Sequence, residues 1–325
     1  MFQKIILPLD GSTLAEVVLP HAVAVVQAAE ASLTLIRVLE PHDSAVESAT
    51  ATDPVNWHLR KAEAQSYLQS VQRRFADAGV AVETVLLEGR AAEQVLAYAR
   101  EQGVDLIMLS SHGKSGPSGW NISSVVQKII LRAPASVMVV RAYEETVAPM
   151  GDLRYRRVLA PLDGSRRAEC VLGMVHALTA DPELKALVVS VVTRPEMPRR
   201  APLSPDDAAL ADEVVARNRE EQERYLSQLE GRMGEGVETH LLLGDSPISR
   251  LHDFIDEQEV DLVVMSAHGY SGDRSRPYGS VATSLMVYGS TPLLIVQDFP
   301  PEKLEHSEAE KSAAQVPVPE ARKRA

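Results

Sequence analysis

The 325-residue sequence has a single cysteine, Cys170, so no intramolecular disulfide can form and a cysteine-built metal site is excluded. A reducing cytoplasm is the simple reading of that poverty. Aromatic residues make up only 4% of the chain, which leaves little for stacking bases. No apolar run reaches membrane-spanning length. The opening MFQKIILPLDGS breaks at Pro8, too soon for a signal peptide, so no membrane partner is expected. Positive charge is also in deficit: 33 Lys and Arg stand against 45 Asp and Glu, a net charge of −12. That argues against non-specific nucleic-acid or anionic-membrane binding, but still allows a small anion held by backbone N–H groups. No G-x-G-x-x-G follows the first strand-like run, so a dinucleotide oxidoreductase is not indicated. Gly113-Lys114-Ser115 looks like the end of a P-loop, but Met108 holds the position where its upstream glycine must stand. The histidines outside the repeated motif described next show no metal-ligand spacing.

What the chain does have is a repeat. PLDGS occurs at Pro8–Ser12 and again at Pro161–Ser165, an offset of 153. VDLIMLSSHGKSG at Val104–Gly116 returns as VDLVVMSAHGYSG at Val260–Gly272, an offset of 156. The period is a whole domain, and the length suits two domains. Residues 1–142 form the first and 155–298 the second. The polar stretch 143–154 reads as a linker, and 299–325 as a charged, disordered tail.

Each copy alternates apolar runs with helix-like segments. In the first copy, strands fall at Lys4–Leu7, Leu33–Val38, Val80–Leu87, Val104–Leu109 and Val137–Arg141. Helices fall at Ser12–Ala29, Trp57–Ala78, Ala91–Glu101 and Ser123–Leu131. The second copy follows the same order. Five strands alternating with four helices predict right-handed crossovers and a doubly wound, Rossmann-like α/β fold, and the near-continuous Val/Ile/Leu runs predict a sheet covered on both faces.

In such sheets ligands sit at the carboxyl ends of the strands. Asp10 and Asp163 fall at that edge of the first strand of each copy. They suit hydrogen bonds from ribose hydroxyls or an adenine amine. Ser12 and Ser165 suit N-caps. The second constellation is Ser110, Gly113, Ser123, Ser124 and Val125, matched by Ser266, Gly269, Gly279, Ser280 and Val281. It combines a small-residue corner, a loop and a helix N-terminus, which is a phosphate cradle without a lysine. The corner serine can add a hydroxyl donor, and glycine lets an oxyanion approach. His112 and His268 recur beside serine, as a general base would, but no G-x-S-x-G elbow accompanies them. They read as structural hydrogen-bond partners across the corner.

These motifs resemble the universal stress protein family, and the whole chain resembles a tandem member over roughly residues 2–141 and 156–298. Nucleotide-binding members carry G-x2-G-x9-G-[S/T]. The second copy matches it as Ser266, Gly269, Gly279 and Ser280, departing at the first position. The first copy, as Ser110, Gly113, Ser123 and Ser124, departs at the first and third. The resemblance implies strand order 3-2-1-4-5 in each half and an intrachain pseudo-dimer with the last strands paired across the interface. A further homodimer of chains is compatible with it. It also implies ATP with Mg2+ as ligand. Asp10 and Asp163 would hold ribose or adenine, next to Pro8 and Pro161. Val38 and Val191 would line the adenine, and Leu109 and Met265 would sit just before the corner. The remaining positions would hold phosphates and ribose.

Ser123 in place of glycine matters if the backbone there needs positive φ or must let phosphate come close, so the second copy is expected to be the better site. Lys114, Arg274 and Arg276 could reach phosphate, and Trp120 could cover a ligand. The expected function is a cytoplasmic stress-response protein that binds ATP as a sensor or regulator, with slow or no hydrolysis. The alternative is a non-nucleotide stress protein acting as a protein-interaction module. An adenylate-forming enzyme lacks support, because no nucleophile is visible.

Overall fold

The computed structural model describes residues 2–40, 54–113, 122–142, 149–195, 204–270 and 276–298. The tail 299–325, the first part of the linker, and Lys114, Trp120 and Arg274 lie outside the described residues.

The first half runs β1 (Lys4–Pro8), α1 (Thr13–Glu16), α2 (Leu19–Ala29), β2 (Ser32–Leu39), α3 (Pro54–Asp77), β3 (Val82–Glu88), α4 (Ala91–Gln102), β4 (Leu106–Ser110), α5 (Ser124–Arg132) and β5 (Ser136–Val140). The second half runs β6 (Arg157–Pro161), a 3-10 turn at Ala168–Val171, α6 (Leu172–Leu178), β7 (Lys185–Thr193), α7 (Pro205–Met233), β8 (Val237–Gly244), α8 (Pro247–Glu257), β9 (Leu262–Ser266), α9 (Ser280–Tyr288) and β10 (Leu293–Val296). The single helix expected over Ser12–Ala29 is broken after Glu16. Pro20 explains the break: it has no N–H for the Glu16 carbonyl, and its ring crowds that oxygen.

The strands form one sheet in the order β3-β2-β1-β4-β5-β10-β9-β6-β7-β8. Each half therefore has the order 3-2-1-4-5, all parallel, as the alternation and the resemblance predict. The halves join where β5 and β10 pair antiparallel, with Val137, Met138 and Val139 opposite Ile295, Leu294 and Leu293. All six side chains are at most 1% exposed. Each contributes about 1.5–3 kcal/mol through its burial, so the halves form a pseudo-dimer with a dry seam. The central strands β4, β5 and β9 are buried at every residue, whereas the edge strands β3 and β8 are largely half-exposed. Edge glutamates such as Glu83 and Glu88 discourage another chain from pairing there. The core lies in two slabs, one on each face of the sheet, and each slab takes residues from both halves.

Further polar contacts bind the halves together. Arg141 Nη2 donates to the Leu285 and Met286 carbonyls on α9, at 3.1 and 2.5 Å. Tyr278 Oη donates to the Ile130 carbonyl on α5 at 3.0 Å. His21 Nδ1 lies 2.7 Å from Tyr155 Oη.

Candidate functional site

The strand order reverses between β1 and β4, and again between β6 and β9. A crevice opens at the carboxyl ends of the strands at each such point, as expected of an open α/β sheet. The first has a volume of about 480 Å3 and is lined by Pro8, Asp10, Val38, Leu109, Ser110, Gly113, Ser123, Ser124 and Val125, among others. The second, of about 400 Å3, is lined by the matching set Pro161, Asp163, Val191, Met265, Ser266, Gly269, Gly279, Ser280 and Val281. All nine residues singled out in each copy thus share one cavity, although they come from four separate stretches of chain. Both volumes are in the range of small-molecule sites. Buried apolar side chains floor the cavities: Ile36, Leu109 and Ile129 in the first, Val189, Leu251 and Met265 in the second.

The aspartates order the turns of each crevice, and Asp163 also ties its turn to the corner loop. Asp10 Oδ1 accepts from the Ser12 N–H at 2.9 Å and from its hydroxyl at 2.6 Å. Ser12 in turn caps α1 by accepting from the Ala15 N–H at 3.1 Å. Gly11 turns at φ 81° and Gly164 at φ 79°, a conformation that favours glycine. Asp163 Oδ1 accepts from the Ser165 N–H at 3.0 Å, and its Oδ2 from the Tyr270 N–H at 2.5 Å. The corner glycines are needed for space. A Cβ on Gly113 would stand 2.1 Å from Asp10 Oδ2, and one on Gly269 would stand 2.2 Å from Asp163 Oδ2. The anion that approaches these glycines is thus the protein's own carboxylate.

The corner serines are also committed. Ser110 Oγ donates to the Leu14 carbonyl and Ser266 Oγ to the His268 carbonyl, each at 2.6 Å. The expected hydroxyl donor to a ligand is therefore already used. Both histidines are buried and serve the corner. His112 Nδ1 lies 3.0 Å from Ser111 Oγ, which also accepts from the Ala142 N–H at 3.0 Å. In the second half Ala267 replaces Ser111, and the job passes to Asp298. His268 Nδ1 meets Asp298 Oδ1 at 2.8 Å, and its Nε2 meets the Arg276 carbonyl at 2.8 Å. Burial pulls the His268 pKa down, but its bonds to Asp298 and to the Arg276 carbonyl outweigh that, and the net shift is upward. With both ring nitrogens engaged, His268 is a brace across the corner.

The helix N-termini differ in a way the residue types conceal. Ser123 has φ −66° and ψ 156°, and Gly279 has φ −69° and ψ 169°. Neither position needs positive φ, so that ground for preferring the second copy is removed, and the room a glycine leaves for a phosphate is the one that stands. A second asymmetry joins it. Ser123 Oγ accepts from the Val126 N–H at 3.4 Å, whereas Gly279 has no side chain to cap α9. The α9 N-terminus keeps one more N–H open toward its crevice. Of the expected cations, Arg276 lines the second crevice.

Sequence reasoning missed Arg37, which lines the first crevice from β2. An arginine inside the run LTLIRVL was the available signal. The cross-half tie of Tyr278, itself a lining residue of the second crevice, was not legible.

Two doubly wound domains, each with a crevice at its switch point and a helix N-terminus beside it, define a tandem Rossmann-like α/β protein. The universal stress protein family model matches residues 1–141 and again residues 154–297, and the chain belongs to that family. A universal stress protein of Methanocaldococcus jannaschii is 28% identical over 141 residues, covering 43% of this chain and 83% of the relative. One from Bacillus subtilis is 29% identical over 148 residues, covering 43% of this chain and all of the relative. Among solved structures, a universal stress protein from Archaeoglobus fulgidus superposes with a TM-score of 0.63 at 16% identity, covering 91% of this chain and 98% of that one. Its likeness is one of fold.

Proposed function

We propose that this protein binds an adenine nucleotide, ATP, in its crevices and acts as a cytoplasmic sensor or regulator. The observation that carries this reading is the convergence, twice over, of the nine-residue sets on a small-molecule-sized cavity with an apolar floor and a helix N-terminus at one end. The floor suits a purine ring, and the N-terminal N–H groups of α5 and α9 suit phosphates. The second crevice is the better phosphate site, because α9 has no side-chain cap. Among the described residues no group of three His, Cys, Asp or Glu could hold a metal ion. Mg2+ would therefore arrive with the phosphates, which is its usual manner in nucleotide sites. In the second crevice His268 is braced on both nitrogens and is not placed to activate water. Turnover should be slow or absent.

One observation favours the second reading, a protein-interaction module. The Asp carboxylates and corner hydroxyls already bond to the protein. Mass spectrometry of the protein purified without added nucleotide, with calorimetric titration of Mg-ATP, separates the two. Retained ATP, with binding weakened by Ser280→Glu, supports the nucleotide reading. No retained nucleotide and no heat of binding would leave the interaction module.

A further inference from the structure

The two halves brace their corners with different chemistry. At the offset of 156 that relates the corner motifs, Ser111 corresponds to Ala267 and Ala142 to Asp298. In the first half the histidine meets a hydroxyl. Ser111 Oγ accepts from the Ala142 N–H, and its own hydrogen is left to donate to His112 Nδ1, so a neutral ring satisfies this corner. In the second half both partners of the histidine are acceptors. His268 Nε2 lies 2.8 Å from the Arg276 carbonyl, and Nδ1 lies 2.8 Å from Asp298 Oδ1. A neutral imidazole carries one N–H, so it can serve one of these oxygens and must turn a lone pair on the other. Two acceptors call for two N–H groups, which is the imidazolium. The side chains of His268 and Asp298 are each 1% exposed, so solvent does not relieve a mismatch.

The surrounding charges, among the described residues, are few. Arg167 Nε stands 3.7 Å from Asp298 Oδ2, before the 3-10 turn, and its charge opposes a second cation at His268. Burial opposes it as well, and the direct bonds to Asp298 and to the Arg276 carbonyl outweigh both. Asp163 is committed to the Tyr270 N–H across the corner. Cys170 on the 3-10 turn is pushed up to about 12, chiefly by burial, and burial raises the Tyr278 phenol, so neither changes charge near neutral pH. Asp298 Oδ2 is buried with no hydrogen bond among the described residues. This buried carboxylate needs the Nδ1–H, so the proton that leaves as the pH rises is the one on Nε2. The Arg276 carbonyl then faces a lone pair. Arg276, Tyr278 and Gly279 line the second crevice, and the Gly279 N–H donates to the Ala267 carbonyl at 2.8 Å where α9 begins.

We propose that the second crevice is proton-gated: the imidazolium of His268, set between Asp298 and the Arg276 carbonyl, holds the wall from Arg276 to Gly279, and loss of its proton releases that wall. The first crevice, whose corner a neutral His112 satisfies, keeps its wall over the same range. The His268 pKa lies above the ordinary 6.5, so the brace is complete below 6.5 and is lost as the pH rises through the folded value. On the nucleotide reading, alkaline conditions would empty the second crevice before the first.

The test uses the full chain without nucleotide, so it stands apart from that reading. Pulsed hydrogen exchange between about pH 6 and about pH 9, corrected for the intrinsic rate, compares the segment carrying Gly279 with the one carrying Ser123, whose N–H makes the matching bond to the Ser111 carbonyl. The expected result is that Gly279 protection falls about tenfold, as for the loss of one charge-assisted bond, while Ser123 protection holds. Its midpoint should coincide with the His268 ring titration followed by NMR. Asp298→Asn removes the charge with little change of shape and should move that midpoint to lower pH, which a purely structural contact would not do. Ala267→Ser with Asp298→Ala copies the first half and should make Gly279 protection independent of pH. A flat response at Gly279, a fall shared equally by Ser123, or a His268 titration with no change at Gly279 overturns the proposal. The comparison of the two halves needs no substitution, so it decides even if the double variant fails to fold.

Discussion

Gly113→Ala tests what the corner glycine is for. The added methyl carbon would lie 2.1 Å from Asp10 Oδ2 and 3.0 Å from its Cγ, far inside contact distance. Gly113 does not have positive φ, so the backbone itself tolerates alanine. The short Asp10 side chain cannot swing away without giving up the Ser12 bonds at 2.9 and 2.6 Å. A hydrogen bond to a charged group is worth about 1.5–3 kcal/mol. Asp10 is half-buried, so water recovers part of the second bond, and a net loss of about 2 kcal/mol is expected. Urea unfolding of four proteins would measure it: the parent, Gly113→Ala, Asp10→Ala and the double variant. If the carboxylate is what alanine meets, the double variant should be no less stable than Asp10→Ala alone, a strongly non-additive cycle. Additive losses would refute the argument, since alanine would then be harmful for a reason unrelated to Asp10. The same cycle at Gly269 and Asp163 should give the same sign, because the approach there is 2.2 Å.

Three further outcomes follow from the geometry. Gly279→Ser should raise stability by a few tenths of a kcal/mol by adding an N-cap, yet weaken nucleotide binding by engaging an N–H of α9; thermal unfolding with and without Mg-ATP reads both. Arg141→Leu removes two donors from the α9 carbonyls at the seam and should cost about 3 kcal/mol in urea unfolding, whereas a substitution at an exposed arginine such as Arg217 should cost almost nothing. Burial lowers the His21 pKa from 6.5 to about 4, so the folded state binds fewer protons than the unfolded chain, and stability should fall as the pH drops from 6.5 toward 4. The shift corresponds to about 3 kcal/mol by pH 4, and His21→Gln should flatten that part of the profile.

The fold was legible because its signals are local: buried runs such as LIMLS, and a repeat that doubles every one of them. The candidate cavities were legible for the same reason, since each contributing stretch ends a strand or starts a helix. The roles inside the cavity were not, because they depend on partners far apart in the chain. Asp10 meets Gly113 only once β1 and β4 lie side by side, so a glycine that makes room for a carboxylate reads in sequence as one that makes room for a ligand. Ser123 and Gly279 mislead for another reason. Glycine permits positive φ without requiring it, and both positions lie at nearly the same extended dihedrals. Arg37 and Ser190 form the plainest case. An arginine and a serine at matched strand positions look like drift between two copies of one domain. Once α3 and α7 are packed against them, the serine is closed off by Gln222, while the arginine lies over the Tyr67 ring and lines the first crevice. The duplication kept the frame of the crevice in both halves while its lining diverged, with Arg37, Arg60 and Glu63 in the first and Arg276 and Tyr278 in the second, so a difference in what the two crevices recognise would come from these side chains and from the caps of α5 and α9.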